Sequence, residues 1–306
     1  MTKPSPWTSA LERQAVDLVQ HLMAIPGKSG EEGLVAQAVK QFLANMGVAA
    51  DACRHDTAHR RSPMGGEIGN LFVHLPGNRR LPRIMLSAHL DTVPICVGCQ
   101  PKRKGNSIVS ANPHTGLGAD DRAGVAAALM AVRVAWESLD AAHRPPIVLC
   151  FFVQEEVGLH GSRFMSVSQA KRPQIALNFD GGNPRKLTIG ATGGERMKIQ
   201  LHGIPAHAGL APQDGASAIT AAGLAIADLY KKKWLGAVRK SGRQGTSNIG
   251  VIHGGAATNV IAEQAELAAE ARSHDSEFRA TIADAIEQAF VDSAARVTNA
   301  RGESVK

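Results

Sequence analysis

Four short apolar runs and one long alanine-rich stretch constrain what this chain can fold into more than any other feature. NLFVHL (70–75), RIMLSAHL (83–90), PPIVLCFFV (145–153) and QIALNFD (174–180) have the length of strands, and DRAGVAAALMAVRVAW (121–136) has that of a helix. Apolar runs alternating with helices indicate an α/β layer structure in which the strands are covered on both faces. The expected class is a mixed, mostly parallel sheet flanked by helices. Polar residues at the C-terminal ends of its strands fall where such sheets hold their ligands.

Two amphipathic helices precede the strands. Ser9-x-x-Glu12 and Ser29-x-x-Glu32 have the form of capping boxes. The first leads into Leu11, Ala15, Leu18, Val19 and Leu22, the second into Val35, Val39, Phe42 and Leu43, stopping at Gly47. Near residue 186 the texture changes. In RMKIQLHG (196–203) apolar and polar residues alternate, as in a strand with one wet face. A helix (215–230), strands at 246–255 and 264–275 and a second helix (280–297) follow, the order of a small α+β domain. The expected division is a larger domain over 1–186 and a small domain over 187–298.

Charge and cysteine usage exclude several function classes. The net charge of +7 comes from scattered basic residues, with small clusters at 102–104 and 231–233, and aromatics are 4% of the chain. That is too few for base stacking, so no nucleic-acid partner is expected. The N-terminus lacks a signal-peptide apolar core, and no apolar run is long enough to cross a bilayer. The expected compartment is the cytoplasm, with no membrane partner. Four cysteines over this length do not make a disulfide framework. Cys96 and Cys99 form a lone CxxC, and Cys53 and Cys150 do not supply the second pair of a zinc site.

Acids and histidines collect at the ends of the apolar segments, in AHLD (88–91), GADDRAG (118–124), QEEVGLHGS (154–162), NFDGG (178–182) and GIPAHAG (203–209). Glu155 and Glu156 follow a run that reads as a buried strand, where two carboxylates repel one another unless cations neutralise them. Asp120 and Asp121, between Gly118 and Gly124 ahead of the alanine-rich helix, pose the same problem. Imidazole plus carboxylates without thiolates suits zinc, cobalt or manganese. In His89-x-Asp91 the aspartate is within reach of the second imidazole nitrogen, an arrangement that fixes the tautomer of a ligating histidine.

SAHLDTVP, LGADDRAG, EEVGLHGS, NFDGG, GIPAHAG, GGAATNV and EARSHD, in that order, resemble the zinc-dependent peptidase and amidohydrolase superfamily (metallopeptidase family 20). That superfamily includes peptidase T, glutamate carboxypeptidase and the aminoacylases, and the resemblance is strongest to the peptidase T-like branch. It implies a phosphorylase/hydrolase-like metal domain carrying an inserted ferredoxin-like domain that serves as lid and dimerisation surface. It also implies two zinc ions: His89 and Asp180 on the first, Glu156 on the second, and Asp120 bridging both across a cis Asp120–Asp121 peptide. Asp91 would orient His89, Glu155 would be the general base, and His207 would stabilise the oxyanion, often across a dimer interface. Asn259 and Arg272 would bind the substrate backbone or carboxylate. The implied activity is hydrolysis of short peptides, of the tripeptidase type that removes an N-terminal residue. An N-acyl or carbamoyl amino acid amidohydrolase uses the same centre and stays open, as does an interaction protein without activity.

One part of the resemblance is missing. The family's chain returns from the small domain to the metal domain and there supplies a late histidine to the second metal. Here residues 299–306 would only begin that return, and no histidine follows His274. Either His114, His160 or water substitutes, or the chain is a truncated piece, expected to be metal-poor and weakly active. Truncation is the expectation favoured.

Overall fold

The computed structural model describes residues 7–183 and 185–306. They form two compact units that divide between Arg185 and Lys186. The first contains α1 (Ser9–Ala24), α2 (Gly33–Asn45), β1 (Cys53–His55), α3 (Ala58–Arg61), β2 (Leu71–Leu75), β3 (Ile84–His89), β4 (Pro101–Lys104), β5 (Ser107–Ser110), α4 (Ala119–Ser138), β6 (Ile147–Phe152), α5 (His160–Arg163) and β7 (Ile175–Asn178). Its five-stranded sheet has the order β1-β2-β6-β3-β7. Because β3 pairs parallel with β6 and β7 while β2 is antiparallel to β6 and β1, four strands run one way and β2 the other.

Alternation along the strands decides which side is core. Leu71, Val73, Leu75, Leu86, Ala88, Ile147, Leu149 and Phe151 share one cluster with Leu22 of α1, Val35, Val39 and Leu43 of α2, and Val125 and Leu129 of α4. Burying each large apolar side chain there contributes roughly 1.5–3 kcal/mol. The intervening positions Phe72, Val148 and Cys150 form only a small second cluster with Met85, Phe152 and Met165. The expected cover on both faces is thus uneven: α1, α2 and α4 all lie on one side, and β7 leaves Ile175 and Leu177 exposed.

The second unit contains β8 (Gly193–His202), α6 (Ala218–Lys231), β9 (Gly236–Lys240), β10 (Arg243–Gly254), β11 (Gln264–Ser273) and α7 (Ser276–Arg296). The antiparallel sheet has the order β8-β11-β10-β9. Leu267, Ala269 and Ala271 of β11 pack under α6 and α7 through Ala221, Ala225, Phe278, Ile282 and Ile286, while every second β11 residue faces outward. Ser217 caps α6 and Asp275 caps α7. Val305 is buried in this core, and Lys306 exchanges backbone hydrogen bonds with His202 at the end of β8 (2.7 and 2.8 Å). With β8, α6, β10, β11 and α7 this gives the ferredoxin-like order, β9 adding an edge hairpin. No helix among the described residues is long and apolar enough to cross a membrane.

Candidate metal centre

The parallel strands β3, β6 and β7 end at one level, which brings their following residues together. His89 lies in register with Phe152, and Ser87 with Asn178, so Asp91, Glu155 and Asp180 all emerge at the same sheet edge. The start of α4 supplies the remaining acids. Gly118 takes the left-handed conformation (φ 71), Asp120 and Asp121 have non-helical backbones, and the peptide bond between them is cis, as the resemblance implies. The turn holds the two aspartates apart: Asp120 faces outward, whereas Asp121 is buried and accepts from the His89 amide (3.1 Å) and the Gly124 amide (3.1 Å).

His89, Asp120 and Asp180 offer ligand atoms that all lie within 4.8 Å of one another. His89 Nε2 is 3.0 Å from Asp120 Oδ1 and 3.9 Å from Glu155 Oε2. Its other nitrogen faces Asp91, at 3.3 Å from Oδ1 and 3.0 Å from the backbone oxygen. Asp91 is fully buried. Its Oδ1 accepts from the Glu155 amide (3.0 Å), and its Oδ2 accepts from Ser29 Oγ (2.6 Å) and the Glu156 amide (3.2 Å). One carboxylate thereby orients the imidazole and fixes the backbone from which both glutamates project.

The charge balance points to a cation. Burial alone would suppress the His89 imidazolium, but the hydrogen bond and charge of Asp91, with Asp121 and Asp120, outweigh it and push its pKa up to about 10. For Asp91, burial is outweighed by the bonds from His89, Ser29 and the Glu155 amide, which hold it below its ordinary value. Glu155 is raised by partial burial and by repulsion from Asp180, Glu156 and Asp91; Glu156 is raised by burial and by Asp120. Asp121 is pushed up to about 7, by burial first. Mutually repelling carboxylates that already draw a proton onto the His89 imidazole would be neutralised equally by a divalent cation taking that proton's place at Nε2, so these residues fit the metal the resemblance implies. His114 is exposed and His160 stacks on Phe164 at 6.0 Å; neither belongs to this cluster.

Several residues important to the site carry no chemical signature in the sequence. The Ser29-x-x-Glu32 pattern does not form a capping box, because Ser29 is drawn to Asp91 and Glu32 itself occupies the cap position without a side-chain cap bond. Glu32 is fully buried, and its Oε1 accepts from the Gly30 amide (2.8 Å) and the Gln154 amide (3.0 Å). Gln154 has a left-handed backbone (φ 53), accepts from Ser62 Oγ at 2.5 Å and donates to the Gly65 carbonyl at 2.5 Å. Arg122, also buried, donates to the Gly27 carbonyl (3.2 Å), and its charge is felt by both Asp91 and Glu32. Helix α1 likewise starts from Thr8, whose hydroxyl accepts from Leu11, rather than from Ser9.

The other expected site residues lie in the second unit. His207 is exposed, and its Nδ1 accepts from the Gly209 and Leu210 amides (3.2 Å each), leaving Nε2 outward. The Asn259 carbonyl accepts from Ala208 (2.9 Å), tying the two loops together. Arg272 makes a two-pronged contact with Glu270, Nε to Oε1 and Nη2 to Oε2, both 3.0 Å. A substrate carboxylate at Arg272 would have to displace that neighbour.

Comparison with known proteins gives the following. The family described as "Peptidase dimerisation domain", that of the M20 peptidases, matches residues 189–298, and "Peptidase family M28" matches residues 70–211. YqjE of Bacillus subtilis, an uncharacterized protein, is 31% identical over 265 residues, covering 86% of this chain and 67% of that one. A protein named probable carboxypeptidase from Arthroderma otae is 32% identical over 207 residues, of which this chain spans 44% of the length. Among solved structures, a tripeptidase from Staphylococcus aureus superposes with a TM-score of 0.82 at 28% identity, over 96% of this chain and 74% of that one.

Proposed function

This chain belongs to the M20 metallopeptidase family, and on that premise we propose that it hydrolyses amide bonds in short peptides. The observation that carries this reading is the His89, Asp120 and Asp180 cluster with the Glu155 carboxylate beside it. His89, Asp120 and Asp180 would hold one divalent cation, and Glu156 with Asp120 would hold a second; zinc is the metal proposed, with cobalt or manganese able to occupy the same donors. When bound, the metal pair lowers the pKa of water and polarises the scissile carbonyl.

The protein's own groups do the rest. Glu155, raised above the ordinary carboxylate range, takes a proton from the attacking water and hands it to the leaving amine. Asp91 keeps the His89 imidazole in the tautomer that leaves Nε2 free for a metal. The exposed face of His207 stabilises the oxyanion, and Asn259 and Arg272 contact the substrate backbone or carboxylate. In this reading residues 1–186 are the metal-binding part and 187–298 a lid that also pairs two copies of the chain, working in the cytoplasm.

Support for a tripeptidase comes from the Staphylococcus aureus structure, whereas the Arthroderma otae relative carries a carboxypeptidase name. The test is a panel of tripeptides, blocked at either end, alongside N-acyl amino acids. Cleavage that requires a free N-terminus is expected. Activity confined to N-acyl amino acids would replace the peptidase reading by an amidohydrolase.

A further inference from the structure

The lone CxxC plays no part in the chemistry above, yet it touches the turn that presents Asp120. We propose that Cys96 and Cys99 are a reversible disulfide site, and that closing it rearranges the segment from Gly116 to Asp120.

The backbone already has the required spacing. Val97 (φ −65, ψ 128) and Gly98 (φ 83) are the central residues of a turn closed by the Cys99 amide donating to the Cys96 carbonyl at 3.2 Å. These are the angles of a type II turn, whose end Cα atoms lie within about 7 Å. Disulfides span about 4.4–6.8 Å between Cα atoms. Both cysteines are free thiols, Cys96 half-buried and reachable and Cys99 buried beside it.

The Cys96 sulfur is lodged against the approach to α4. A Cβ added to Gly116 would stand 2.9 Å from it and one on Gly118 3.7 Å. The Gly116 amide also donates to the Ile95 carbonyl (3.0 Å). Gly118 is the left-handed residue that begins α4, and Asp120 follows two positions later. Drawing the sulfur to about 2.05 Å from its partner takes it out of this niche and removes the packing that holds Gly116 and Gly118 in place.

A low-molecular-weight disulfide of the glutathione type serves as oxidant. The Cys96 thiolate attacks one of its sulfurs and expels one thiolate; the Cys99 thiolate then attacks the Cys96 sulfur and expels the second. The protein loses two protons and two electrons, and one small disulfide becomes two thiols. Burial and the neighbouring Cys99 hold the Cys96 thiol above its ordinary value, so closure is slow at neutral pH and quickens as pH rises.

The test incubates metal-free protein with oxidised glutathione, maps the peptides and follows amide hydrogen exchange across 111–122. The expected result is a Cys96–Cys99 crosslink without a retained glutathione, with exchange in that segment changed several-fold and restored by dithiothreitol. Cys99→Ser and Cys99→Ala should each show neither effect, while Cys53 and Cys150 remain as internal controls. A glutathione adduct that stays on Cys96, or a crosslink that leaves exchange unaltered, would overturn the proposal. Neither readout depends on metal or turnover, so its failure is distinct from failure of the peptidase reading.

Discussion

At the scale of single residues, the proposed function gives placement to Asp91 and chemistry to Glu155. Asp91 uses both oxygens on His89, Ser29 and two amides, while Glu155 keeps a partly exposed carboxylate beside His89. Glu155→Gln preserves shape and should lower turnover about 10²–10⁴-fold while bound metal, measured by plasma mass spectrometry, stays unchanged. Glu32 makes a different prediction. Burial first, then the Asp91 charge, raises its carboxyl to about 7 against the opposing pull of its amide donors, with Arg122 the buried cation facing it. The folded state therefore holds the Glu32 proton to higher pH than the unfolded chain, and stability falls as pH rises from about 4.5 to 7, by at most about 3 kcal/mol. Glu32→Gln should flatten that part of the profile of thermal midpoint against pH in metal-free protein. Asp91 and Glu155 were legible in the sequence because each sits in a motif. Glu32 was not, because its partner Gln154 lies 122 residues away and Ser29 is 62 residues from Asp91. A local capping pattern gave no hint of either contact.

At the scale of elements, the long apolar runs became the strands expected of them, since period-2 burial leaves a sequence little choice of face. Short polar strands escaped notice. Pro101–Lys104 and Ser107–Ser110 pair through the two-residue loop Gly105-Asn106, and Lys240 pairs with Arg243 across Ser241 and Gly242, both at positive φ (51 and 77). The Ser-Gly dipeptide is the hairpin signal that could have revealed β9. The core of the first unit is tight at β6, where Leu149 is fully buried. Leu149→Ala should cost about 2–5 kcal/mol in a urea titration. In the second unit Ile282, equally buried on the inner face of α7, gives the same range on Ile282→Ala. That variant should leave zinc affinity of the first unit unchanged, because none of the cluster ligands lies in the second unit.

At the scale of the whole molecule, the chain spans 67% of YqjE and 44% of the Arthroderma otae relative, so the activity of a full-length relative comes to this chain as a proposal. The match over 189–298 to a peptidase dimerisation domain supports self-association, and sedimentation velocity should show a dimer that Lys186–Lys306 mediates. The central claim is that His89, Asp120 and Asp180 hold the catalytic cation. Its most direct test is the zinc retained after equilibrium dialysis by the wild-type chain and by Asp120→Asn, a nearly isosteric change at an exposed position. Zinc should be bound by the wild type, with at least about a tenfold loss of affinity in the variant, the loss that removing even a group supporting a metal ligand produces. Equal retention by the two proteins would contradict the claim.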